Sequence, residues 1–319
     1  MLILYSCLTA LAISIILVPY IRRLAIKWNF VDLPNPRKVH KEPLPLLGGM
    51  AILVGFVISS TIFSFIDKPV PSVYYGLMGG TFLLYSVGMI DDYYKTRRRD
   101  FSAGIRIIAQ TAAAILVIWS GGTVHTLTVP FGGGHYILLP RAIAWILTVT
   151  WIVGVINVYN FLDGLDGLAA GIGTISSLTM VFFAWKTGDL QSAIWAAALA
   201  GGAMGFLRYN FFPARIIMGD AGSTMLGFVL ASVAAVGAFK SATVVSIVVP
   251  VLALGVPIFD AIRVVIGRAI HGQPIYRADQ THGHHWLLRA GFSQVQTVTL
   301  LYIISVCFSL ASVIVVLMH

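Results

Sequence analysis

Long apolar runs separated by short polar segments dominate the chain. A helix that crosses a bilayer needs ~20 apolar residues, and ten runs of about this length occur. They fall at roughly 2–21, 46–66, 73–90, 104–120, 141–158, 167–185, 190–207, 221–239, 243–262 and 294–316. Lipid offers no hydrogen-bonding partners, so backbone polar groups must be paired within helices that pack together. The pattern therefore predicts an all-α polytopic membrane protein with about ten transmembrane helices in a single domain, 1–319.

Two local features modify this pattern. Apolar and polar residues alternate over 123–139, around a turn at 130–134 that contains one proline and three glycines. This alternation predicts a small external β-hairpin. Pro250 and Pro257 interrupt the ninth run, and a proline removes a hydrogen bond inside a helix. The ninth helix is therefore predicted to be kinked.

Composition supports the membrane class. Apolar residues make up 58% of the chain and charged residues 10%, whereas soluble domains carry roughly a quarter charged residues. The net charge of +9 does not indicate a nucleic-acid partner, because no soluble basic domain carries it. Cys7 and Cys307 each lie alone in an apolar run, so redox and metal roles are not expected for them.

The distribution of charge predicts the orientation in the membrane. Ten spans create nine loops that alternate between the two sides. The odd-numbered loops and their flanks hold all but four of the 21 Lys and Arg residues, so we expect them to be cytoplasmic and both termini to lie outside. All acids except Asp67 and Asp189 are on the same side. The positive-inside rule makes no such demand on acids, which indicates a functional site there.

Three polar motifs on this side consist of carboxylates and amides. Adjacent Asp91 and Asp92 follow the third run; they suit a general base or a divalent-cation ligand, although a solvated helix end explains them equally well. Four polar side chains at three-residue spacing follow the fifth run, more than one helix cap requires. These four are Asn157, Asn160, Asp163 and Asp166. A cation, or the hydroxyls of a nucleotide or sugar, would compensate their charge.

The third of these motifs contains Asn210 and ends at Asp220, which stands between glycines ahead of the eighth run. This placement exposes a carboxylate and neighbouring backbone N–H groups. Oxygen-only ligation completed by phosphate oxygens is typical of Mg²⁺. The alternative is that Asp220 simply caps the helix that follows it.

Histidines and basic residues form the remaining candidates. Three histidines within four residues lack a fourth ligand for zinc, so phosphate binding with nearby arginines is favoured. These residues are His282, His284 and His285, with Arg268, Arg277 and Arg289. Lys38 and His40 in the first loop are also substrate-binding candidates, and the alternative for them is a topology signal that contacts lipid headgroups. Clusters confined to one face suit a reaction between a water-soluble anionic donor and a lipid acceptor.

At these motifs the sequence resembles the polyprenyl-phosphate N-acetylhexosamine-1-phosphate transferases, from about residue 20 to 293. The paired aspartates, an N-x-x-N-x-x-D-G-L-D-G loop at 157–167, an N-F-x-P-A-x-x-x-M-G-D-x-G-S loop at 210–223 and a His-rich loop at 279–292 occur in family order. The last loop is similar to the branch that primes teichoic-acid, enterobacterial-common-antigen or O-antigen synthesis. The sister branch, phospho-N-acetylmuramoyl-pentapeptide transferase of peptidoglycan synthesis, usually has three consecutive histidines and is the alternative.

The resemblance implies an enzyme of the bacterial cytoplasmic membrane. It would transfer N-acetylglucosamine-1-phosphate, or a related sugar phosphate, from a UDP-sugar to undecaprenyl phosphate and release UMP. Mg²⁺ is the expected cofactor, with Mn²⁺ as a substitute, and direct attack and double displacement through an aspartate both stay open. The oligomeric state is open too, with a homodimer as one alternative. A transporter is a more distant alternative, disfavoured because transport sites lie near the midplane.

The resemblance also implies roles for individual residues. The catalytic candidates are Asp91 as a base supported by Asp92, together with Asp163, His284 and His285. The substrate-binding candidates are Lys38, His40, Arg106, Asn157, Asn160, Asp166, Asn210, Arg277 and His282. The metal candidates are Asp220 and, as a second contact, Asn160. The chain departs from the family at Lys95, where the branch often has a third acid, and at 45–49, which lacks an arginine before the glycines.

The predicted orientation can be tested by cysteine labelling. Single cysteines replacing Ser102 and Gly133, in a background without Cys7 and Cys307, are expected to lie on opposite sides of the membrane. An impermeant thiol reagent applied to intact cells should therefore label only the variant at 133. Labelling of the variant at 102 before lysis would show that the predicted orientation is wrong.

Overall fold

The computed structural model describes residues 1–32, 43–67, 69–97, 99–128, 136–240, 245–270 and 283–318. Four predicted site residues, Lys38, His40, Arg277 and His282, lie outside these ranges. Within the described residues the architecture is helical, with two short antiparallel sheets of two strands each.

Twelve helices occur in the described part of the chain. They are α1 Leu2–Lys27, α2 Gly49–Ile66, α3 Val73–Thr96, α4 Ala103–Trp119, α5 Arg141–Leu162, α6 Leu168–Lys186, α7 Leu190–Asn210, α8 Gly219–Lys240, α9 Val245–Ala253, α10 Gly255–Ile270, α11 Gly283–Arg289 and α12 Gln294–Met318. Eight of them, α1 to α3, α5 to α8 and α12, are long and apolar enough to cross a membrane. The shorter α4 and the pair α9 and α10 account for the other two runs, which confirms the predicted class.

The ninth run is interrupted at one residue, Leu254, in the region where the prolines predict a kink. α9 ends at Ala253 and α10 begins at Gly255. Pro257 has no N–H to donate to the carbonyl of Ala253, four residues earlier. The Ser176 hydroxyl donates to that carbonyl instead, at 2.6 Å. A side chain of α6 therefore satisfies the backbone group that the proline leaves unpaired.

The two sheets differ in how well the sequence predicts them. β3 Thr126–Thr128 pairs with β4 Tyr136–Leu138, which confirms strands on both sides of the predicted hairpin; its turn lies outside the described residues. β1 Val31–Asp32 pairs with β2 Leu44–Pro45 and is not anticipated by the apolar pattern. Directly after β2, the chain runs beside the segment that enters α8, where the Ile217 N–H donates to the Pro45 carbonyl at 2.9 Å. The first loop is thereby fastened to the start of α8.

The centre of the body is formed by α6, α7 and α8, whereas α1 and α12 lie at its periphery. Of the most apolar stretch of α8, 94% is buried inside the protein, against 17% for α12. α1 packs on α7 through small residues that allow the two backbones to approach. A Cβ atom added at Gly201 would stand 2.0 Å from the carbonyl oxygen of Cys7.

We predict that Gly201→Ala destabilises the protein, because a methyl group has no room between α1 and α7. The expected cost is about 1–3 kcal/mol, as for other overpacked cores, measured as a lower thermal midpoint in detergent. Gly154→Ala is the matched control, since a Cβ atom there meets nothing within 4 Å. Equal midpoints for the two variants would contradict the close packing.

Candidate active site

A polar cavity of about 230 Å³ opens where α3, α5 and α7 end and α8 begins. It is lined by Asp32, Leu46, Asp92, Lys95, Asp163, Gly164, Leu165, Asp166, Asn210, Ile217, Gly219, Asp220 and His285. The tertiary structure thus brings residues from all four family motifs to one place at one end of the helical body.

Asp92 caps the start of α8 from the neighbouring helix α3. Its Oδ1 accepts the N–H of Asp220 at 2.9 Å, and its Oδ2 accepts the N–H of Ala221 at 3.0 Å. The first amides of a helix have no partner within it, and a carboxylate at this end is also favoured by the helix dipole. Gly219, with a φ of +77°, makes the turn that brings these amides to Asp92. Asp92 therefore positions Asp220, and the cap of α8 comes from α3 rather than from Asp220 itself.

The Asp220 carboxylate is surrounded by polar groups. Its Oδ2 contacts the Lys95 ammonium group and lies 3.8 Å from Nη1 of Arg106. The Asp91 carboxyl and the Asn160 amide are adjacent to it. Asn160 is itself oriented by donating from Nδ2 to the Ser223 hydroxyl at 3.0 Å. The two predicted metal contacts, Asp220 and Asn160, are thus side by side.

Asp91 lies behind the cavity wall rather than on it. It is 2% exposed and is not among the residues that line the cavity. Its Oδ2 faces Nη1 of Arg106 at 3.4 Å. This geometry favours Asp91 as a residue that positions Arg106, while its predicted role as a base stays a prediction.

Two of the motif loops are joined by hydrogen bonds. Asp166 Oδ2 accepts the N–H of Ala214 at 3.0 Å. Asn210 Oδ1 accepts the N–H of Gly167 at 3.0 Å, and its Nδ2 donates to the Ile216 carbonyl at 2.9 Å. Asp166 and Asn210 therefore hold the loop after α5 against the loop after α7, in addition to the substrate contacts predicted for them.

Asp163 points into the space that this arrangement leaves. Burial and, next, the negative charge of Asp220 raise the pKa of Asp163 to about 7. Both effects disfavour the ionised carboxylate. Asp163 is consequently close to half-protonated at neutral pH, and an approaching cation would favour its charged form.

The two described histidines of the His-rich loop reach the cavity in different ways. His285 lines it, whereas His284 is buried and packs over Gly164. A Cβ atom added at Gly164 would stand 2.8 Å from Nε2 of His284. The short helix α11, which carries both histidines, is held by Asp260, whose Oδ1 accepts the N–H of Gly283 at 2.7 Å.

Three predicted substrate contacts within the described ranges, Arg106, Asn157 and Asn160, are not among the residues that line the cavity. Arg106 and Asn160 stand next to Asp220, whereas Asn157 lies elsewhere. The Nδ2 of Asn157 donates to Oε1 of Gln110 at 2.7 Å and so ties α5 to α4. Its role in substrate binding stays a prediction, and the observed contact joins two helices.

Sequence reasoning also missed three residues of this region. Asp32 lines the cavity, and Asp260 holds α11 in place. Both are acids on the charged side of the chain, and that signal alone could have drawn attention to them. Tyr302 in α12 donates its hydroxyl proton to the Gly167 carbonyl at 2.5 Å, and nothing in the local sequence indicates this contact.

The donor set fits a hard cation with a partly open shell. Among the described residues, no three His, Cys, Asp or Glu side chains form a closed metal site. Mg²⁺ in phosphate-handling enzymes usually binds one or two carboxylates and completes its shell with water and phosphate. Asp220 offers such a carboxylate. Asn160 beside it would add its amide oxygen after a rotation of the amide, because its Nδ2 now donates to the Ser223 hydroxyl.

The fold and the site define a multi-pass integral membrane transferase with its polar cavity at one end of the helical body. The chain belongs to glycosyl transferase family 4, whose sequence profile matches residues 74–238. This span contains the paired aspartates and both asparagine-containing motifs, which confirms the resemblance predicted from them.

The chain is similar over most of its length to several transferases from bacteria. The chain is 35% identical over 310 residues to a probable undecaprenyl-phosphate N-acetylglucosaminyl 1-phosphate transferase of Bacillus subtilis, covering 96% of this chain and 83% of the relative. It is 32% identical to a decaprenyl-phosphate N-acetylglucosaminephosphotransferase of Mycolicibacterium smegmatis, covering 93% and 78%. It is 28% identical to an undecaprenyl-phosphate alpha-N-acetylglucosaminyl 1-phosphate transferase of Escherichia coli K12, covering 88% and 75%.

Proposed function

We propose that the protein transfers N-acetylglucosamine-1-phosphate from UDP-N-acetylglucosamine to undecaprenyl phosphate and releases UMP. The product would be the first lipid-linked intermediate of a cell-wall polymer or surface polysaccharide. The observation that carries this proposal is the cavity in which Asp220 and Lys95 meet at the end of an apolar helical body. Arg106 and Asn160 lie beside Asp220. The names of the relatives supply the two substrates.

The cavity suits the donor because it combines cations with hydrogen-bonding groups. Lys95, Arg106 and His285 can contact the diphosphate, which carries the donor's negative charge. Asp163 and Asp166 line the cavity and would accept hydrogen bonds from sugar and ribose hydroxyls. Mg²⁺ held by Asp220 and Asn160 would add neutralisation of the charge that develops on the phosphates during transfer.

A second cavity suits the acceptor. It measures about 220 Å³ and lies between α5, α10, α11 and α12. Most of its wall is apolar, from Leu162, Val256, Phe259, Leu301, Ile304 and Phe308, and its polar residues are Asp260, Arg263 and His284. The apolar part would take the first isoprene units of the prenyl chain, and the phosphate would lie near Arg263 and His284. Because His284 packs over Gly164 of the first cavity, acceptor and donor would meet there.

The reaction needs positioning and charge neutralisation more than covalent chemistry. An oxygen of the lipid phosphate attacks the β-phosphorus of the donor, and the bond from that phosphorus to the bridging oxygen breaks. UMP departs with the bridging oxygen and its electron pair. Arg106, held by Asp91, and Lys95 would stabilise the negative charge of the leaving group.

We further propose that the cavity faces the cytoplasm. The end of the body that carries it also holds Arg22, Arg97, Arg208 and Arg289, as the positive-inside rule requires of a cytoplasmic side. The chain would then act as one integral membrane transferase domain with both termini outside. UDP-sugars are water-soluble, so they could reach the site from that side.

The activity can be tested with purified protein in detergent. Undecaprenyl phosphate, Mg²⁺ and a panel of UDP-sugars are supplied, and released UMP is measured. We expect UMP release that requires the lipid and UDP-N-acetylglucosamine and stops when EDTA removes the metal. UMP release only with the UDP-linked muramoyl pentapeptide would favour the peptidoglycan branch instead.

Asp220→Asn is predicted to lose nearly all turnover while the protein still folds, because losing a metal clamp on phosphate costs several kcal/mol. Asp100→Asn, an exposed acid in the loop after α3, is the matched control and should retain turnover. An Asp220→Asn enzyme with more than about a tenth of wild-type turnover would remove Asp220 from direct contact with the metal.

Asp91→Asn distinguishes a base from a positioning residue. We expect kcat to fall about tenfold or more, because Arg106 loses its buried partner, with a loss that is equal across pH 6 to 9. A base that deprotonates the lipid phosphate would behave differently. Its loss would be relieved at high pH, where the second phosphate ionisation, at a pKa of ~6, is complete. Relief of this kind would restore the base role predicted from the sequence.

A further inference from the structure

Lys95 places an ammonium group on the carboxylate that the proposed function assigns to the metal. It stands one helical turn beyond Asp91 on α3 and lines the same cavity as Asp220. Its ammonium group contacts Oδ2 of Asp220 directly, while its side chain is 38% exposed. A lysine has a flexible four-carbon stem and carries its charge at one point, so the group can leave this position without any change in the helix.

Two acids of α3 next to this contact have partners besides Lys95. Asp92 accepts the two N–H groups at the start of α8, and Asp91 faces Arg106 at 3.4 Å. Lys95 is therefore the cation closest to Asp220, with Arg106 further away at 3.8 Å. A divalent cation that binds Asp220 would meet the Lys95 ammonium at the same oxygen atom, and two cations in one place repel each other.

Lys95 is not required to hold α3 against α8. The backbone hydrogen bonds to Asp92 already join the two helices. The helices are also in close contact at Gly88, where an added Cβ atom would stand 2.4 Å from the Cα atom of Ala221. The position of the ammonium group therefore calls for an explanation other than packing.

We propose that Lys95 is a resident cation that competes with the divalent metal for Asp220 and moves to the donor's phosphates when the metal arrives. This inference rests on the proposed function and assigns a regulatory and positioning role to a residue that the family motif often fills with an acid. The metal should bind weakly to the protein alone and more tightly together with the nucleotide sugar, whose phosphates offer the displaced ammonium group new partners.

The competition can be measured without any turnover. Mn²⁺ is titrated into the purified protein without substrates, and free Mn²⁺ is followed by electron paramagnetic resonance. We expect Lys95→Met to bind Mn²⁺ about tenfold more tightly than the wild type, because the competing charge is gone. Lys95→Arg keeps a cation at this position and should bind as weakly as the wild type. Lys27→Met removes a lysine near the same end of the body, at the last turn of α1, and should leave Mn²⁺ affinity unchanged.

A double variant tests whether the Mn²⁺ ion binds at Asp220. Lys95→Met combined with Asp220→Asn should lose the tight binding, whereas tight binding that persists would put the ion elsewhere and overturn the proposal. Mn²⁺ affinity in Lys95→Met that equals or falls below the wild-type value would also overturn it and leave Lys95 as a structural ion pair. If Lys95→Met does not fold, Lys95→Gln gives the same comparison with a polar side chain.

Steady-state kinetics separates this inference from the proposed function. If UMP is released, Lys95→Met should reach half-maximal rate at a lower Mg²⁺ concentration and have a reduced kcat, since the ammonium group no longer assists the leaving phosphate. If the wild type releases no UMP from any UDP-sugar, the proposed function fails. Tighter Mn²⁺ binding by Lys95→Met would in that case still support the competition at Asp220.

Discussion

The amides at the start of α8 have no partners within the helix, and the site depends on how they are satisfied. α8 is the most buried of the described spans, and its first turn lines the polar cavity through Gly219 and Asp220. Asp92 accepts two of the amides from α3. This single carboxylate sets the direction of the first turn of α8 and hence the position of Asp220. It also fixes the last turns of α3, from which Lys95 reaches the same place.

The second requirement is that the loops around Asp220 keep their shape when an anionic substrate enters. Asp166 and Asn210 bind backbone groups rather than only facing the cavity, and Tyr302 holds the Gly167 carbonyl from α12. Polar groups that are aligned before the substrate arrives do not need to reorganise during the reaction. Such preorganised groups stabilise the transition state at no reorganisation cost. Residues of the family motifs therefore serve the scaffold and the chemistry together.

The break between α9 and α10 connects the apolar body to the His-rich loop. Because Pro257 cannot donate to Ala253, the regular helix is interrupted between α9 and α10. α10 carries Asp260 to the N-terminus of α11, and the hydrogen bond to Gly283 holds that helix near the cavity. The second, apolar cavity lies beside this junction. The interruption before Pro257 therefore lies beside the cavity in which lipid and nucleotide substrates could meet.

The sequence by itself determined the membrane class, the ten apolar runs, the interruption of the ninth and the motifs that meet at one site. Run length, proline chemistry and the alternation of loops between two sides are properties of the chain read locally, so no tertiary contact is needed to recognise them. Only the tertiary structure decided which carboxylate does what. Asp92 and Asp220 are 128 residues apart, and the cap on α8, the Lys95 contact with Asp220 and the withdrawal of Asp91 behind the cavity wall all depend on how α3 packs against α8. Each motif contains several carboxylates or amides of the same chemistry, and only the packing of the helices sets which of them meets a backbone amide, a cation or the open cavity.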